Sequence, residues 1–279
     1  MISPRKWILK RPGIFIPVFF LALVHAKGLG QVLWQEAASA ALGGCFLTIQ
    51  GYSCANQNPG GLGLIEQSSI SIQHSRPYMI KELGSSSISG QFTTGTGAIG
   101  IAMSTQGLRS FRQSSLWFSY GMKLHSGISA GAGIHLWSSS LPEQLFYAPG
   151  CSFALGLKIS LNDQWKLGAR LFHPAGWSAH PDLPFRKQMV LAAGCSFSFL
   201  QAGIFYTELH ARPAEGIVMC GGLEWNLSQH TLLRTGISTK PFLFSWGISI
   251  NFTRWIADFA FLYRTDSGLS PYTSLTHAW

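Results

Sequence analysis

Near its C-terminus the sequence runs Phe242-Leu243-Phe244-Ser245-Trp246-Gly247-Ile248-Ser249-Ile250-Asn251-Phe252. Large apolar side chains stand at every second position, and the positions between them hold mostly small or polar residues. A period of two is typical of a β-strand that has one apolar face and one polar face. The stretch therefore predicts a strand that separates an apolar environment from a polar one.

The same alternation recurs from residue 68 to the end of the chain. An even number of antiparallel strands is typical of bacterial outer-membrane barrels, although a soluble β-sandwich would show the same alternation. We predict fourteen strands, at residues 68–75, 86–94, 97–104, 114–124, 127–137, 151–160, 164–173, 188–198, 201–208, 216–225, 231–239, 242–252, 254–264 and 272–279.

The connections between these strands favour the barrel. Alternate connections are short, such as Gly95-Thr96 and His125-Ser126, whereas those between them are mostly longer, such as 138–150 and 174–187. Outer-membrane barrels have short periplasmic turns and longer outer loops. We therefore predict an all-β fold over residues 68–279, a transmembrane antiparallel up-and-down barrel of the bacterial outer membrane with both termini periplasmic.

The composition supports this interpretation. Charged residues make up 11% of the chain and hydrophobic residues 47%, whereas soluble domains have about 25% charged residues. A water-facing surface of this size would be expected to carry more charge. No run of Lys and Arg resembles a nucleic-acid-binding arm, so we expect no nucleic-acid partner.

The N-terminus has the three-part pattern of a secretory signal peptide. Four basic residues precede an apolar run at 14–24, and Val24-His25-Ala26 then gives small or modest residues at the usual cleavage positions. A membrane anchor is the alternative, but the run is shorter than the roughly 20 residues of a spanning helix. We predict a signal peptide over residues 1–26. Its removal takes away the four basic residues and lowers the formal net charge from +9 to +5.

The chain ends on an aromatic residue, Trp279, which closes the least regular predicted strand. A terminal aromatic resembles the signal read by barrel-assembly machinery, which we expect as a partner during biogenesis. Aromatic girdles mark the two membrane interfaces of such barrels. Further candidates for these girdles are Trp117, Trp137, Trp165, Trp225, Trp255 and Tyr263.

Residues 27–67 do not alternate and are predicted to fold back into the barrel as a plug. An alanine-rich stretch at 35–44 favours a short helical turn that ends at a glycine pair. Residues 56–63 are rich in Asn, Pro and Gly, which is turn chemistry.

Two motifs in this segment carry a family resemblance. Leu42-Gly43-Gly44 after the alanines, and then Asn58-Pro59-Gly60-Gly61-Leu62, resemble the start of Bacteroidetes PorV/PorQ-type outer-membrane proteins. That group shares the fourteen-stranded fold of the FadL long-chain fatty-acid transporters. Gly60 stands where the group usually has Ala, and the usual Asp-rich segment between the motifs is absent. The resemblance implies either passage of hydrophobic molecules, as in FadL-like members, or service to type IX secretion, as in PorV- and PorQ-like members.

Most charged residues of the predicted strands face the lumen by alternation, because charges that face lipid are costly. They would either bond the plug and each other or form an anion-attracting path. Many other inward positions are Gly, Ala or Ser, whereas a hydrophobic transporter would be expected to line its lumen with large apolar side chains. The charged lumen candidates are Lys123, Lys158, Lys166, Arg170, Glu224, Arg234, Lys240, Asp258 and Arg264.

The sequence thus favours a non-enzymatic accessory or scaffold subunit of an envelope complex, such as type IX protein secretion or outer-membrane protein assembly. The alternative is a FadL-like transporter of small hydrophobic molecules, and a lipid-modifying barrel enzyme is a weaker third. We expect no catalytic residue, no metal and no cofactor. The expected partners are outer-membrane lipid and a larger membrane-protein complex. Five cysteines, an odd number, leave the disulfide state open.

Overall fold

The computed structural model describes residues 35–49, 54–108, 111–140, 147–178, 189–199, 202–213 and 216–279. The predicted signal peptide lies outside the described residues, so it stays a prediction. Within these ranges no helix is long and apolar enough to cross a membrane.

Fourteen antiparallel strands close into one barrel, in which each strand pairs with its neighbours in sequence and the last pairs with the first. The predicted fold class is therefore confirmed. The strands are β1 (Ser69–Ser75), β2 (Ser85–Thr93), β3 (Gly97–Leu108), β4 (Phe111–His125), β5 (Ile128–Ser140), β6 (Tyr147–Ser160), β7 (Trp165–Ser178), β8 (Val190–Phe199), β9 (Gly203–Arg212), β10 (Gly216–Ser228), β11 (Thr231–Thr239), β12 (Phe242–Phe252), β13 (Trp255–Arg264) and β14 (Gly268–Ala278).

Several strands are longer than their apolar pattern predicts. The predicted loop 105–113 is mostly strand, since β3 runs to Leu108 and β4 begins at Phe111. Backbone pairing continues through serine-rich ends such as Ser138–Ser140, where the apolar alternation stops but the ladder does not. The contrast between short and long connections is therefore weaker than predicted. For example, only three residues join β13 to β14, where the sequence predicts a loop at 265–271.

The barrel is closed by the strand whose pattern was least regular. β14 pairs along one side with β13 and along the other with β1, from Ser69 opposite Ala278 to Ser75 opposite Tyr272. Trp279 follows the strand, and its backbone N–H donates to the carbonyl of Ser68 at 3.0 Å. We call the end of the barrel with Ser69 and Ala278 the terminal end, and the opposite end the distal end.

The two faces of the wall differ as the alternation predicts. On β12, Phe244 and Trp246 point outward and are 43% and 41% exposed, whereas Ser245 between them is fully buried. An outward apolar belt is the surface that lipid requires. Inward residues are small where they meet the plug. A Cβ atom on Gly121 or Gly131 would lie 2.3 Å from the carbonyl oxygen of Pro59.

The described part of the predicted plug segment lies inside the barrel. It contains a short helix, α1 (Ala37–Ala41), which packs against β11 to β14, and a 3-10 turn, Pro59–Leu64, which packs against β3 to β6. Gly43 ends the helical turn at φ +69°, a left-handed conformation that glycine adopts without strain. A side chain there would also collide with the backbone of Ile237, because its Cβ would lie 2.4 Å from the carbonyl oxygen.

Deletion of residues 272–279 removes most of β14, so that the edge of β1 and most of one edge of β13 lose their pairing and the barrel cannot close. We expect this truncated chain to form no barrel, because unpaired backbone groups cost several kcal/mol each in lipid. Heat-modifiable migration in SDS gels after refolding into lipid vesicles checks the expectation. Deletion of Trp279 alone is the control, since it leaves the whole strand. A folded band from the longer deletion would contradict the expectation.

Candidate functional site

Serine hydroxyls on the wall hold the plug by its backbone. Ser245 on β12 accepts a hydrogen bond from the N–H of Gly43 at 3.0 Å and donates to the carbonyl of Ala41 at 2.9 Å. On the opposite side, Ser119 and Ser129 donate to the carbonyls of Ala55 and Gly60. Small hydroxyl residues thus leave room for the plug and also satisfy its buried polar groups.

The plug motif predicted from the sequence forms two contacts with the wall. Leu42, Gly43 and Gly44 lie against β10 and β11, where Leu42 is fully buried. Asn58 begins the second contact. Its amide donates to the carbonyls of Leu47 at 2.9 Å and Leu157 at 3.3 Å, and its side-chain oxygen accepts from the N–H of Gly60. The remaining motif residues, Pro59, Gly60, Gly61 and Leu62, are buried in the same turn.

Three of the charged lumen candidates form one network on β10, β11 and β13. The guanidinium of Arg234 donates to Glu224 at 2.6 Å and to Asp258 at 2.9 Å. Ser274 donates to the other oxygen of Asp258 at 2.9 Å, and Ser249 bonds both charged partners. Because each charge has a partner of opposite sign, the network satisfies itself without a ligand.

The other predicted lumen charges are scattered. Lys158 is buried and donates to the plug carbonyl of Ile49 at 2.9 Å. Lys166 is half-buried, and Lys123 is exposed at the terminal end of β4. Lys240 lies in the two-residue turn after β11 and is exposed, because the strand ends one residue earlier. Arg264 sits at the distal end, where it binds Asp266 at 3.0 Å.

Loss of the Arg234 charge would leave the carboxylates of Glu224 and Asp258 in the lumen without a cationic partner. We expect Arg234→Met to lower the free energy of unfolding by about 3–5 kcal/mol, the usual cost of breaking a buried pair from one side. Urea titration in lipid vesicles measures it. Lys240→Met, which removes an exposed cation, serves as the control. A loss no larger than that of the control would show that the network contributes nothing to stability.

A cavity of about 200 Å³ lies between the plug and the wall. Its lining includes Glu36, Phe46 and Ile49 from the plug and the Arg234 network from the wall. Burial, and then the negative charge of Asp258, raise the pKa of Glu36 well above its ordinary value. Glu36 therefore takes up a proton on folding at pH values where the unfolded chain has lost it.

This proton uptake makes stability depend on pH. The contribution of Glu36 is fully present below the pKa of the unfolded chain and is lost as pH rises through the higher folded pKa. We expect Glu36→Gln to match the natural chain in urea unfolding at pH 4 and to exceed it increasingly towards pH 8. The exposed Glu66→Gln is the control. A difference between Glu36→Gln and the natural chain that is constant across this pH range would contradict the expectation.

Distal to the plug, the lumen holds a cluster of aromatic side chains. His135 on β5 stacks on Trp117 of β4, with centroids 4.0 Å apart and planes 13° apart. Trp137 and Phe172 flank this pair at 5.3 and 5.9 Å from His135. All four rings are buried, with exposed fractions of 3–6%. We call Trp117, His135, Trp137 and Phe172 the distal aromatic cluster.

This cluster corrects one prediction. The sequence predicts Trp117 and Trp137 in the membrane girdles, because they lie near predicted strand ends, but both point into the lumen. The alternation along each strand indicates this inward direction, because Trp117 lies on the same face of β4 as Ser119, which binds the plug. Trp165, Trp225, Trp255, Tyr263 and Trp279 are exposed on the barrel, as girdle residues would be.

Arg170 on β7 lies between the cluster and the plug. Its guanidinium carbon is 5.0 Å from the ring of Phe172, 5.5 Å from Trp117 and 5.6 Å from Phe46 of the plug. These are cation–π distances. The residue is only 3% exposed, yet among the described residues it has no carboxylate partner, and its Nε and Nη2 atoms have no hydrogen-bond acceptor. Arg170 is thus a buried cation with unused donors, unlike Arg234.

One motif of nucleophilic catalysis occurs in the sequence, but its structural setting differs from the one that the motif requires. Gly127-Ile128-Ser129-Ala130-Gly131 has the spacing of a nucleophile elbow, but that motif needs a strand-to-helix turn. Here Ser129 lies on β5 and donates to the plug. No group of three His, Cys, Asp or Glu side chains could hold a metal ion within the described ranges.

The barrel superposes on solved structures that are described as transporters and channels. The toluene transporter TbuX of Ralstonia pickettii superposes with a TM-score of 0.68 at 11% identity, over 89% of this chain and 99% of TbuX. The chain has a FadL-like fold. The monoaromatic hydrocarbon channel CymD gives a TM-score of 0.67 at 13% identity, over 89% and 98% of the two chains. A Pseudomonas aeruginosa FadL homologue gives 0.61 at 10% identity, over 88% and 98%.

At these identities the likeness concerns the fold alone. No protein-family model matches the sequence, and no curated protein matches it significantly. The predicted FadL-like architecture is confirmed, whereas the closer kinship with PorV and PorQ stays a prediction. The barrel resembles outer-membrane proteins, and the periplasmic position of its termini stays a prediction as well.

Proposed function

We propose that the barrel conducts small hydrophobic molecules across the outer membrane. The proposal favours the transporter alternative over the accessory role. TbuX is described as a toluene transporter and CymD as a monoaromatic hydrocarbon channel, and both share the fold over nearly their whole length. Fold alone does not assign function, so the proposal depends on the lumen itself.

The observation that carries the proposal is the distal aromatic cluster. The lumen of a hydrophobic transporter is expected to be lined with large apolar side chains. The small inward residues of the sequence therefore disfavour a transporter. Those small residues face the plug, as at Gly121 and Gly131. Beyond the plug the wall presents two Trp rings, Phe172 and the ring of His135. The lumen is therefore lined by small residues where the plug fills it and by large rings at the distal aromatic cluster.

The cluster is chemically suited to a ring-bearing molecule. Aromatic side chains bind planar apolar ligands by offset stacking and edge contacts. Arg170 beside them offers Nε and Nη2 donors to an oxygen of the ligand. A buried charge–oxygen hydrogen bond contributes about 1.5–3 kcal/mol. We therefore expect an aromatic molecule with a carboxylate to be accepted better than the bare hydrocarbon.

Uptake by whole cells tests the proposal. The chain is expressed in a Gram-negative host that lacks its own hydrophobic-molecule channel, and initial uptake of radiolabelled toluene and phenylacetate is measured. We expect severalfold faster uptake than with an empty vector. Arg170→Met should lower phenylacetate uptake about tenfold or more, from the lost charged hydrogen bond, and should leave toluene uptake nearly unchanged.

Two controls sharpen this experiment. Lys240→Met removes a cation outside the lumen and should change neither rate. Trp117→Ala opens the aromatic cluster and should alter the uptake of both molecules. Uptake of both at the empty-vector rate in the natural chain, with the barrel folded in the membrane, would overturn the proposal. Purification of the chain only with a larger membrane complex would then favour the accessory role.

A further inference from the structure

Glu208 on β9 makes an unusual contact with the plug. One carboxylate oxygen, Oε1, accepts hydrogen bonds from the backbone N–H groups of Phe46 and Leu47, each at 2.7 Å. The other oxygen, Oε2, lies 2.9 Å from Nε2 of His210 on the same strand. Glu208 and His210 are 1% and 2% exposed. The carboxylate is therefore fully enclosed between wall and plug.

The hydrogen bonds around Glu208 suit an ionised carboxylate. An ionised carboxylate only accepts hydrogen bonds, so the ring nitrogen that faces it, Nε2 of His210, carries the proton. That Nε2–H then donates to Oε2, so the carboxylate receives three N–H donors. Hydrogen bonds to a charged acceptor are roughly twice as strong as neutral ones. Other plug anchors, such as Ser119 and Ser129, use neutral hydroxyls on carbonyl groups.

The backbone held by Glu208 carries a side chain that lies between the distal aromatic cluster and the cavity. The ring of Phe46 lies 5.6 Å from the guanidinium of Arg170, which borders the distal aromatic cluster, and 5.3 Å from His210. Phe46, Leu47 and Ile49 also line the cavity on the opposite side of the plug. The segment 46–49 is therefore the partition between the cluster and the cavity.

We propose that residues 46–49 form a gate in the plug and that Glu208, positioned by His210, is the latch that holds it closed. Release of the two N–H groups would let Phe46 withdraw from Arg170 and join the cluster to the cavity. Within the gate, the carbonyl of Leu47 also accepts from Asn58 and that of Ile49 from Lys158, so the release is greatest at Phe46. The anchors at Gly43 and Gly60 would keep the rest of the plug in place. The role of the gate in transport rests on the proposed function, whereas the latch itself does not.

Hydrogen–deuterium exchange of the full-length barrel in lipid nanodiscs tests the latch. Glu208→Gln keeps the shape of the side chain but loses its charge. We expect the amides of Phe46 and Leu47 to exchange about tenfold faster or more in this variant, while the amides of residues 60–62 keep their rates. Glu82→Gln removes an exposed carboxylate at the distal end and is the matched control. Unchanged exchange at residues 46–47, or faster exchange throughout the plug, would overturn the proposal.

Ion conductance in planar bilayers tests the gate without any hydrophobic cargo. Glu208→Gln and Phe46→Ala should each raise the conductance of the natural chain severalfold, and Glu82→Gln should not. Phe46→Ala leaves Glu208 and His210 intact. Its conductance therefore tests the gate even if Glu208→Gln fails to give a heat-modifiable folded band. Unchanged conductance in both folded variants would overturn the gate. Raised conductance in a chain that carries no hydrophobic molecule would support the gate and overturn the proposed function.

Discussion

The structure depends on one constraint, that a chain in lipid must pair every backbone N–H and C=O group with another part of itself. A sheet satisfies it only by closing, and here closure is the pairing of β1 with β14. All other features follow from that ring. The outward side chains can be large and apolar because lipid surrounds them, and the inward ones must fill or line a lumen whose width is set by fourteen strands.

A plug inside such a ring brings its own backbone polar groups into a place with little water, and each of them needs a partner. The wall supplies partners of several kinds. Serine hydroxyls bond plug carbonyls, Lys158 bonds the carbonyl of Ile49, and Glu208 accepts two N–H groups. These anchors differ in strength, because charged acceptors hold more tightly and respond more sharply to substitution. The plug is thus held unevenly, and this unevenness is the physical basis of the proposed gate.

Much of the fold could be predicted because alternation is a local property. The segment 242–252 is the same strand in the sequence and in the structure. Where serines replace apolar residues, as in Ser138–Ser140, the pattern ends before the strand does, since pairing there depends on the neighbouring strand. The charged residues of the lumen were also only partly predictable from the sequence. Arg234 found both of its acidic partners, but no pattern in the sequence shows that Arg170 lies among rings and lacks one.

The sequence by itself determined the strand count, the inward and outward faces and the presence of a non-alternating segment before the barrel. These follow from the period of two, which each strand carries on its own. Only the tertiary structure decided which inward residues meet the plug and which meet each other. Trp117 and His135 stack because β4 and β5 are in register, and Glu208 meets Phe46 across 162 positions of sequence. Contacts of that kind arise from register and closure, which are properties of the whole ring of strands.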